Sequence, residues 1–358
     1  MIPVRFVLLI LSVAILQLLL GCSVAPVAPQ ERFFWPPPPS APKIEWIKTY
    51  TSQLDIEKSS MQRFMTVLVG DDQALSLVKP IEVKSVPELN RFYVSDLGRS
   101  AVLVFDLGKH ELRQLVTPDG VVPLSHPLSI VVDRDNNIYV LDRRSASIFI
   151  FDRAEKFQRS INLRPLSISS PVAMAIDRKS ERLYVSDAAS RSVIGLGFDG
   201  RYLNKIGSGG SGDAQFNLPV SVAVNSQGEL IVADAFDTQV QVFNSDGFFL
   251  RKFGQRGDGA GDFQLIKSVA VDSEDNIYVV DGRMHNISVF NQQGQLLLVL
   301  GGYYAVSVSG KVAPGGFSVP IGMDIDATDR IYVVDQLNAR VQVFQYLSEK
   351  YKRSLRAE

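Results

Sequence analysis

From Pro80 to Phe344 apolar and polar residues alternate in short runs, and polar turns break these runs at regular intervals. A period of two puts successive side chains on opposite faces of an extended chain, so the pattern predicts strands and not helices. The stretch IYVVDQLNARVQVF, Ile331 to Phe344, reads as two strands around a polar turn, and five earlier places read the same way. They are FYVSD at 92–96, IYVLD at 138–142, LYVSD at 183–187, LIVAD at 230–234 and IYVVD at 277–281, with IYVVD at 331–335 as the sixth. Successive aspartates (Asp96, Asp142, Asp187, Asp234, Asp281, Asp335) lie 46, 45, 47, 47 and 54 positions apart.

A period near 45 accommodates four short strands and their turns. Each unit opens on an apolar run usually introduced by proline (PLSIVVD, PVAMAID, PVSVAVN, PIGMDID), passes a turn such as RDNN or SEDN, and reaches the strand that ends in aspartate. A loop, a third strand (VLVFD, IFIFD, VQVFN, ISVFN) and a glycine-terminated fourth strand complete it. The expected fold is therefore all-β, a six-bladed β-propeller of four-stranded antiparallel blades, an arrangement that leaves only short, protected edges. The sixth unit stops after its third strand, near Tyr346, so an N-terminal strand must close the last blade. Arg63 to Gly70 (RFMTVLVG) is the expected clasp. The propeller is then placed at 61–347, with a charged tail at 348–358.

The last unit, Asp335-Gln-Leu-Asn-Ala-Arg-Val-Gln-Val-Phe, resembles the NHL repeat, and GSGGSGDAQFNLP and GQRGDGAGDFQLI look like that family's glycine-rich passages between blades. Asp187-Ala-Ala-Ser-Arg-Ser and Asp96-Leu-Gly-Arg-Ser depart from the repeat by lacking its asparagine. The resemblance covers Pro80 to Phe344. It implies an NHL-like six-bladed propeller and, with the segment ahead of it, looks like the lipid-anchored propellers of bacterial envelopes.

That leading segment has its own logic. Arg5, the apolar run Phe6 to Leu20 and the small-residue site LLGC describe a signal peptide at 1–21, and LLGC resembles the bacterial lipobox, which makes Cys22 the acylated residue. An uncleaved signal anchor or an ordinary signal peptide is the alternative. Several acyl chains would anchor the protein stably to a membrane. Ser23, in place of the aspartate that retains lipoproteins in the inner membrane, implies the outer membrane of the bacterial cell envelope. Residues 22–60 then hold the acylated cysteine, a spacer with four consecutive prolines (Phe33 to Lys43) that favours an extended rod, and a lead-in; a proline-recognition motif is the other reading.

Composition narrows the chemistry. With 37 Lys and Arg against 38 Asp and Glu the chain is nearly neutral, so nucleic acid is not an expected partner. Cys22 is the single cysteine and leaves no disulfide, thiolate metal site or haem attachment. Propeller lyases that resemble this chain hold zinc with three histidines at the starts of inner strands, whereas here only His126 sits beside one, His110 and His285 lying in turns. Lactonase-like propellers hold calcium on the axis, where this chain offers Glu82, Ser129, Ala173, Ser221, Ser268 and Gly322, with Lys267 and Asp324 nearby, a single carboxylate among small side chains. No cofactor, metal or catalytic residue is expected, and the chain is not expected to be an enzyme. The second-to-third turns carry Arg99, Arg143, Arg144, Arg191, Arg283 and Arg340, and the opposite face Asp133, Asp135, Glu181, Glu274, Asp275 and Asp329. A disc with two electrical faces follows. Its basic face suits an envelope protein or acidic ligand, unless these arginines pair with the repeat aspartates and lock the blades. The function expected is a non-catalytic binding or assembly module; the alternatives are a propeller enzyme, lyase or lactone hydrolase, with a metal on the axis, and a purely structural subunit of an envelope complex.

Overall fold

A computed structural model of the chain describes residues 31–58, 74–304 and 313–355. From Phe33 onward the chain forms six antiparallel blades in a ring, each sheet following the chain from its innermost strand outward. Blade one comprises Pro80–Val86, Arg91–Asp96, Ala101–Asp106 and Glu111–Leu115. Blade two comprises Pro127–Val132, Ile138–Asp142, Ser147–Phe151 and Phe157–Asn162, and blade three Pro171–Asp177, Arg182–Asp187, Ser192–Gly197 and Tyr202–Ile206. Blade four comprises Pro219–Val224, Leu230–Asp234, Gln239–Phe243 and Phe249–Phe253, and blade five Ile266–Val271, Ile277–Asp281, Asn286–Phe290 and Leu296–Leu300. Blade six supplies Pro320–Ile325, Arg330–Asp335 and Arg340–Tyr346.

Every inner strand begins where the proline pattern places it, and in each the pairing register shifts just after that first residue. Proline lacks a ladder donor and is tolerated at a strand's first position, and the bulge that follows re-aims the next side chains. Glu82, Ser129, Ala173, Ser221 and Ser268 thereby line the axis. The second and third strands are buried on both faces, because each blade packs between two others. The core accordingly divides into clusters between neighbouring blades, such as Tyr93, Val104, Ile138 and Phe149 between blades one and two. At the ring's closing seam Gly322 leaves no room for a side chain: a Cβ there would lie 2.3 Å from the Ile81 carbonyl oxygen of blade one.

An N-terminal strand does close the last blade, but it is Ile44–Tyr50, antiparallel to Arg340–Tyr346. Arg63 to Gly70 lies outside the described residues. Ile44 is buried with Leu300, Phe317 and Phe344 between blades five and six, while Tyr50 packs with Phe92, Phe105 and Tyr332 between blades six and one. The clasp thus ties blade six to both neighbours. The proline-rich spacer is corrected in the same way. Phe34–Trp35 adds a further strand to the outer edge of Ile44–Tyr50, and the Trp35 ring meets Phe344 edge-on at 5.7 Å. Lys43 N–H donates to the Trp35 carbonyl at 2.8 Å, so the prolines fill the bend of a hairpin on the propeller.

The charged tail is not free either. Ser348 caps a short helix, Glu349–Ser354, and its hydroxyl donates to Asp329 at 2.6 Å. The expected signal peptide and Cys22 lie outside the described residues.

Candidate functional site

The six repeat aspartates share one structural task. All are buried, and their carboxylates accept from two directions: from backbone N–H groups of the lead-in to the blade's own first strand, and from the turn that follows the aspartate, by backbone N–H in the first five blades and by the Asn338 and Arg340 side chains at Asp335. Asp234 shows the arrangement in full, accepting from Asn217 at 2.6 Å, Leu218 at 3.1 Å, Phe236 at 2.9 Å and Asp237 at 3.0 Å. Asp281 repeats it with Gln264, Leu265, Arg283 and Met284, and Asp142 with Ser125, His126 and Ser145. A carboxylate with several acceptor sites can close a turn onto a neighbouring loop in this way.

The staple fixes what each turn presents. Four residues after the aspartate the backbone is left-handed in every blade (Ser100, Ala146, Arg191, Thr238, His285 and Ala339). Two residues after it the residue is exposed in every blade: Gly98, Arg144, Ala189, Phe236, Arg283 and Leu337. One frame therefore displays six different apex residues.

Aligned on this frame, the six arginines separate. Arg144 and Arg283 are apex residues, and exposed Arg143 precedes Arg144, its guanidinium 3.0 Å from Ser170 Oγ. Arg164, which the sequence reading missed, donates to the Arg144 carbonyl at 3.4 Å and adds a third exposed guanidinium there. Arg99 instead straps the lead-in of blade one through the Ser76 carbonyl and hydroxyl. Arg191 lies along Gly209, its guanidinium carbon 2.3 Å from where a Cβ there would sit. Arg340 is not on the face at all. It is 2% exposed and pairs with Asp335 at 2.8 Å, while also donating to the Gly316 carbonyl. Burial, outweighing hydrogen bonds from Asn338 and Ser318 and the charge of Arg340, raises the Asp335 carboxyl above its ordinary range. The blade-locking alternative holds for Arg340 and fails for Arg143, Arg144 and Arg283, none of which meets a described carboxylate. Aligning the turns on their aspartates would have shown the apex column; no repeat signal marks Arg164.

Of the six acidic residues expected on the opposite face, Asp135, Glu181 and Glu274 are exposed and the other three are not. Asp133, Asp275 and Asp329 are buried, and the last two latch neighbouring blades by accepting from Ser226 and Ser273 respectively, through both N–H and hydroxyl. Asp133 caps its own turn through Asp135 N–H and Asn137. Between blades one and two, Glu155 gathers Arg91, Arg113 and the Tyr93 hydroxyl.

Along the axis runs a cavity of about 380 Å³ whose lining extends from Glu82 and Ser129 to the turns holding Asp177, Arg178, Lys179, Asn225 and Ser226. Lys84 bridges blades one and six, its ammonium 2.5 Å from Asp324. Asp324 also accepts the Ser85 N–H at 2.8 Å. Among the described residues Glu82 accepts only its neighbour's N–H, from Val83 at 3.1 Å. By surface area Glu82 is half-buried, and part of it lines the cavity. Burial, reinforced by the charge of Asp324 and opposed by the Val83 hydrogen bond and by Lys84, pushes its pKa up to about 8. The histidines stay apart in kind: His285 Nδ1 accepts the Val319 N–H at 3.0 Å and its ring lies against Tyr303, and His126 precedes the first strand of blade two. Among the described residues no group of three His, Cys, Asp or Glu is placed to hold a metal.

Residues 220–298 match the family described as a 6-bladed beta-propeller. No curated protein matches the chain. Among solved structures, a streptogramin B lyase superposes with a TM-score of 0.57 at 9% identity, over 75% of this chain and 94% of that one. A protein of unknown function from Bacteroides thetaiotaomicron gives 0.57 at 14% identity, over 77% and 72%. A catalytically inactive virginiamycin B lyase from Staphylococcus aureus, with quinupristin, gives 0.55 at 10%, over 78% and 86%. At such identities the likeness is one of fold, and this chain is similar to them as a six-bladed β-propeller.

Proposed function

We propose that this chain is a lipid-anchored, non-catalytic recognition module of the bacterial envelope, tethered through acylated Cys22 at the outer membrane and binding an acidic envelope partner on its second-to-third turns. The observation that carries this reading is the apex column: a rigid frame repeated six times exposes one position per blade, and those positions hold Arg144, Phe236, Arg283 and Leu337 among small residues. Arginine and large apolar side chains are the types that dominate binding energy at protein interfaces. Guanidinium groups without a carboxylate of their own are ready for bidentate contact with one from a partner. Loops on a rigid scaffold are where binding is usually placed.

The test is retention of partners from detergent-solubilised envelopes by the mature chain. Arg143→Ala with Arg144→Ala is expected to weaken retention about tenfold or more, ~1.4 kcal/mol, with a loss that shrinks at high salt and with an unchanged melting temperature. A double variant that keeps its partners but melts early would make these residues structural and defeat the proposal. The tether is tested separately: Cys22→Ser should move the protein from the membrane fraction to the soluble one, and a variant that stays on the membrane refutes the anchor.

A further inference from the structure

We propose that the axial cavity binds a small organic monocation, an alkylammonium, whose charge is taken by Glu82. Three carboxyls and three cations face the cavity: Glu82, Asp177 and Asp324 with Lys84, Arg178 and Lys179. Lys84 and Asp324 neutralise each other across the seam of blades six and one. At the turn end, Arg178 Nε is held by the Val132 carbonyl at 2.9 Å and Lys179 by the Ser226 carbonyl at 2.5 Å, and Asp177 by Ser180 and Lys179. The inner strands of blades two, four and five bring only serines to this level. The Lys84 charge acts on Glu82 without a hydrogen bond to it, so among the described residues Glu82 is the one carboxyl on the cavity that accepts from no side chain.

The neutral groups select the ligand class. Ser129 Oγ accepts the Met174 N–H and Ser221 Oγ the Val269 N–H, each at 3.1 Å, so both hydroxyls are oriented and each oxygen keeps a second lone pair that can accept from an ammonium. Between them stand the aliphatic walls Val131, Met174, Val222 and Val269. A hard divalent ion wants six or more oxygen ligands, with several carboxylates among them. A primary ammonium with a short alkyl chain needs less: one carboxylate, one or two hydroxyl oxygens and apolar wall. The cavity lies at the small end of ligand-pocket volumes.

Because burial keeps the empty site's carboxyl protonated near neutrality, cation uptake must displace that proton. Binding should therefore release about one proton per ligand at pH 7 and tighten roughly tenfold per pH unit from pH 6 to pH 7, flattening above pH 8. The experiment is titration calorimetry of the mature chain with n-butylammonium, in two buffers of different ionisation enthalpy, with 1-pentanol and calcium chloride as comparison ligands and Glu82→Gln as the variant. Support is one-to-one ammonium binding with proton release, lost at least tenfold in Glu82→Gln and absent for 1-pentanol. The proposal is overturned if ammonium does not bind, if it binds without proton release, if the variant binds it equally, if 1-pentanol binds as well, or if calcium binds more tightly. Proton release is read on the unsubstituted protein, so the outcome does not depend on the variant folding.

Discussion

Replacing Asp234 by alanine removes one carboxylate and leaves four backbone donors, on Asn217, Leu218, Phe236 and Asp237, without their acceptor. An unsatisfied buried donor costs ~1–3 kcal/mol. The Phe236 and Asp237 N–H groups sit in a surface turn and can turn to water, whereas those of Asn217 and Leu218 are held between the turn and the first strand of blade four. Counting the second pair in full and the first at a fraction gives roughly 3–6 kcal/mol for Asp234→Ala, a large share of the ~5–15 kcal/mol by which a folded domain is stable. Asp234→Asn keeps one oxygen lobe but turns an NH2 toward the other donors, and about half that loss is expected. The same deletion at Asp335 should cost as much or more, ~3–5 kcal/mol from the stranded charge alone, because Arg340 is left buried without its partner. Guanidinium unfolding at pH 7, with slopes compared to confirm that the same surface is exposed, measures all three, and Arg283→Ala at an exposed apex should leave stability unchanged. If Asp234→Ala lies within about 1 kcal/mol of the parent at equal slope, the repeat aspartates are not staples, and their recurrence has to be explained by something they bind.

Two further outcomes follow from the seam. A chain beginning at Phe33 should melt like the mature protein, whereas one beginning at Thr51 loses Ile44 and Trp35 from blade six, exposes the Arg340–Tyr346 edge and should aggregate on size exclusion; equal melting of the two would refute the clasp. Glu82, raised to about 8 in the folded chain from an ordinary 4.5, binds more protons folded than unfolded between those values, so its share of stability is present at low pH and is lost as pH rises through that window. Relative to Glu82→Gln, the parent should therefore lose up to a few kcal/mol between pH 5 and pH 9, and parallel stability curves for the two proteins would show that the carboxyl is not held protonated.

The strand pattern was legible because each blade repeats the same constraint: two inner faces demand apolar residues, and proline marks where the innermost strand may begin. The clasp was misplaced for a local reason. In Ile44–Tyr50 the register shifts between Trp46 and Lys48, which puts Ile47 out of phase and blurs the alternation, while Arg63 to Gly70 carries a cleaner apolar run. The proline run hid a hairpin in the same way, since prolines suit both a free rod and a bend. The arginines were grouped by loop, and loop membership does not report position within the turn; Arg340, one residue past the left-handed position, points inward to Asp335, while Arg144 and Arg283 at the apex point out.

Net charge was the least informative quantity, and the structure gives the physical cause. Most acidic residues singled out in the turns are already engaged: the repeat aspartates close turns onto lead-in strands, and Asp275 and Asp329 latch one blade to the next. Apart from Asp335, which pairs with Arg340, their charge is balanced by N–H dipoles and hydroxyls, with no paired cation among the described residues. A nearly neutral chain can for that reason expose unpaired guanidinium groups on one face. It also separates two kinds of position in each repeat. Substituting the aspartate breaks several buried hydrogen bonds at once, whereas the residue two places on is exposed and can change at small cost to folding, except at Gly98, where an added Cβ would press on Val78. A propeller built this way can alter its exposed turn residues one blade at a time while its frame stays fixed, which is the pattern that the exposed series Gly98, Arg144, Ala189, Phe236, Arg283 and Leu337 displays.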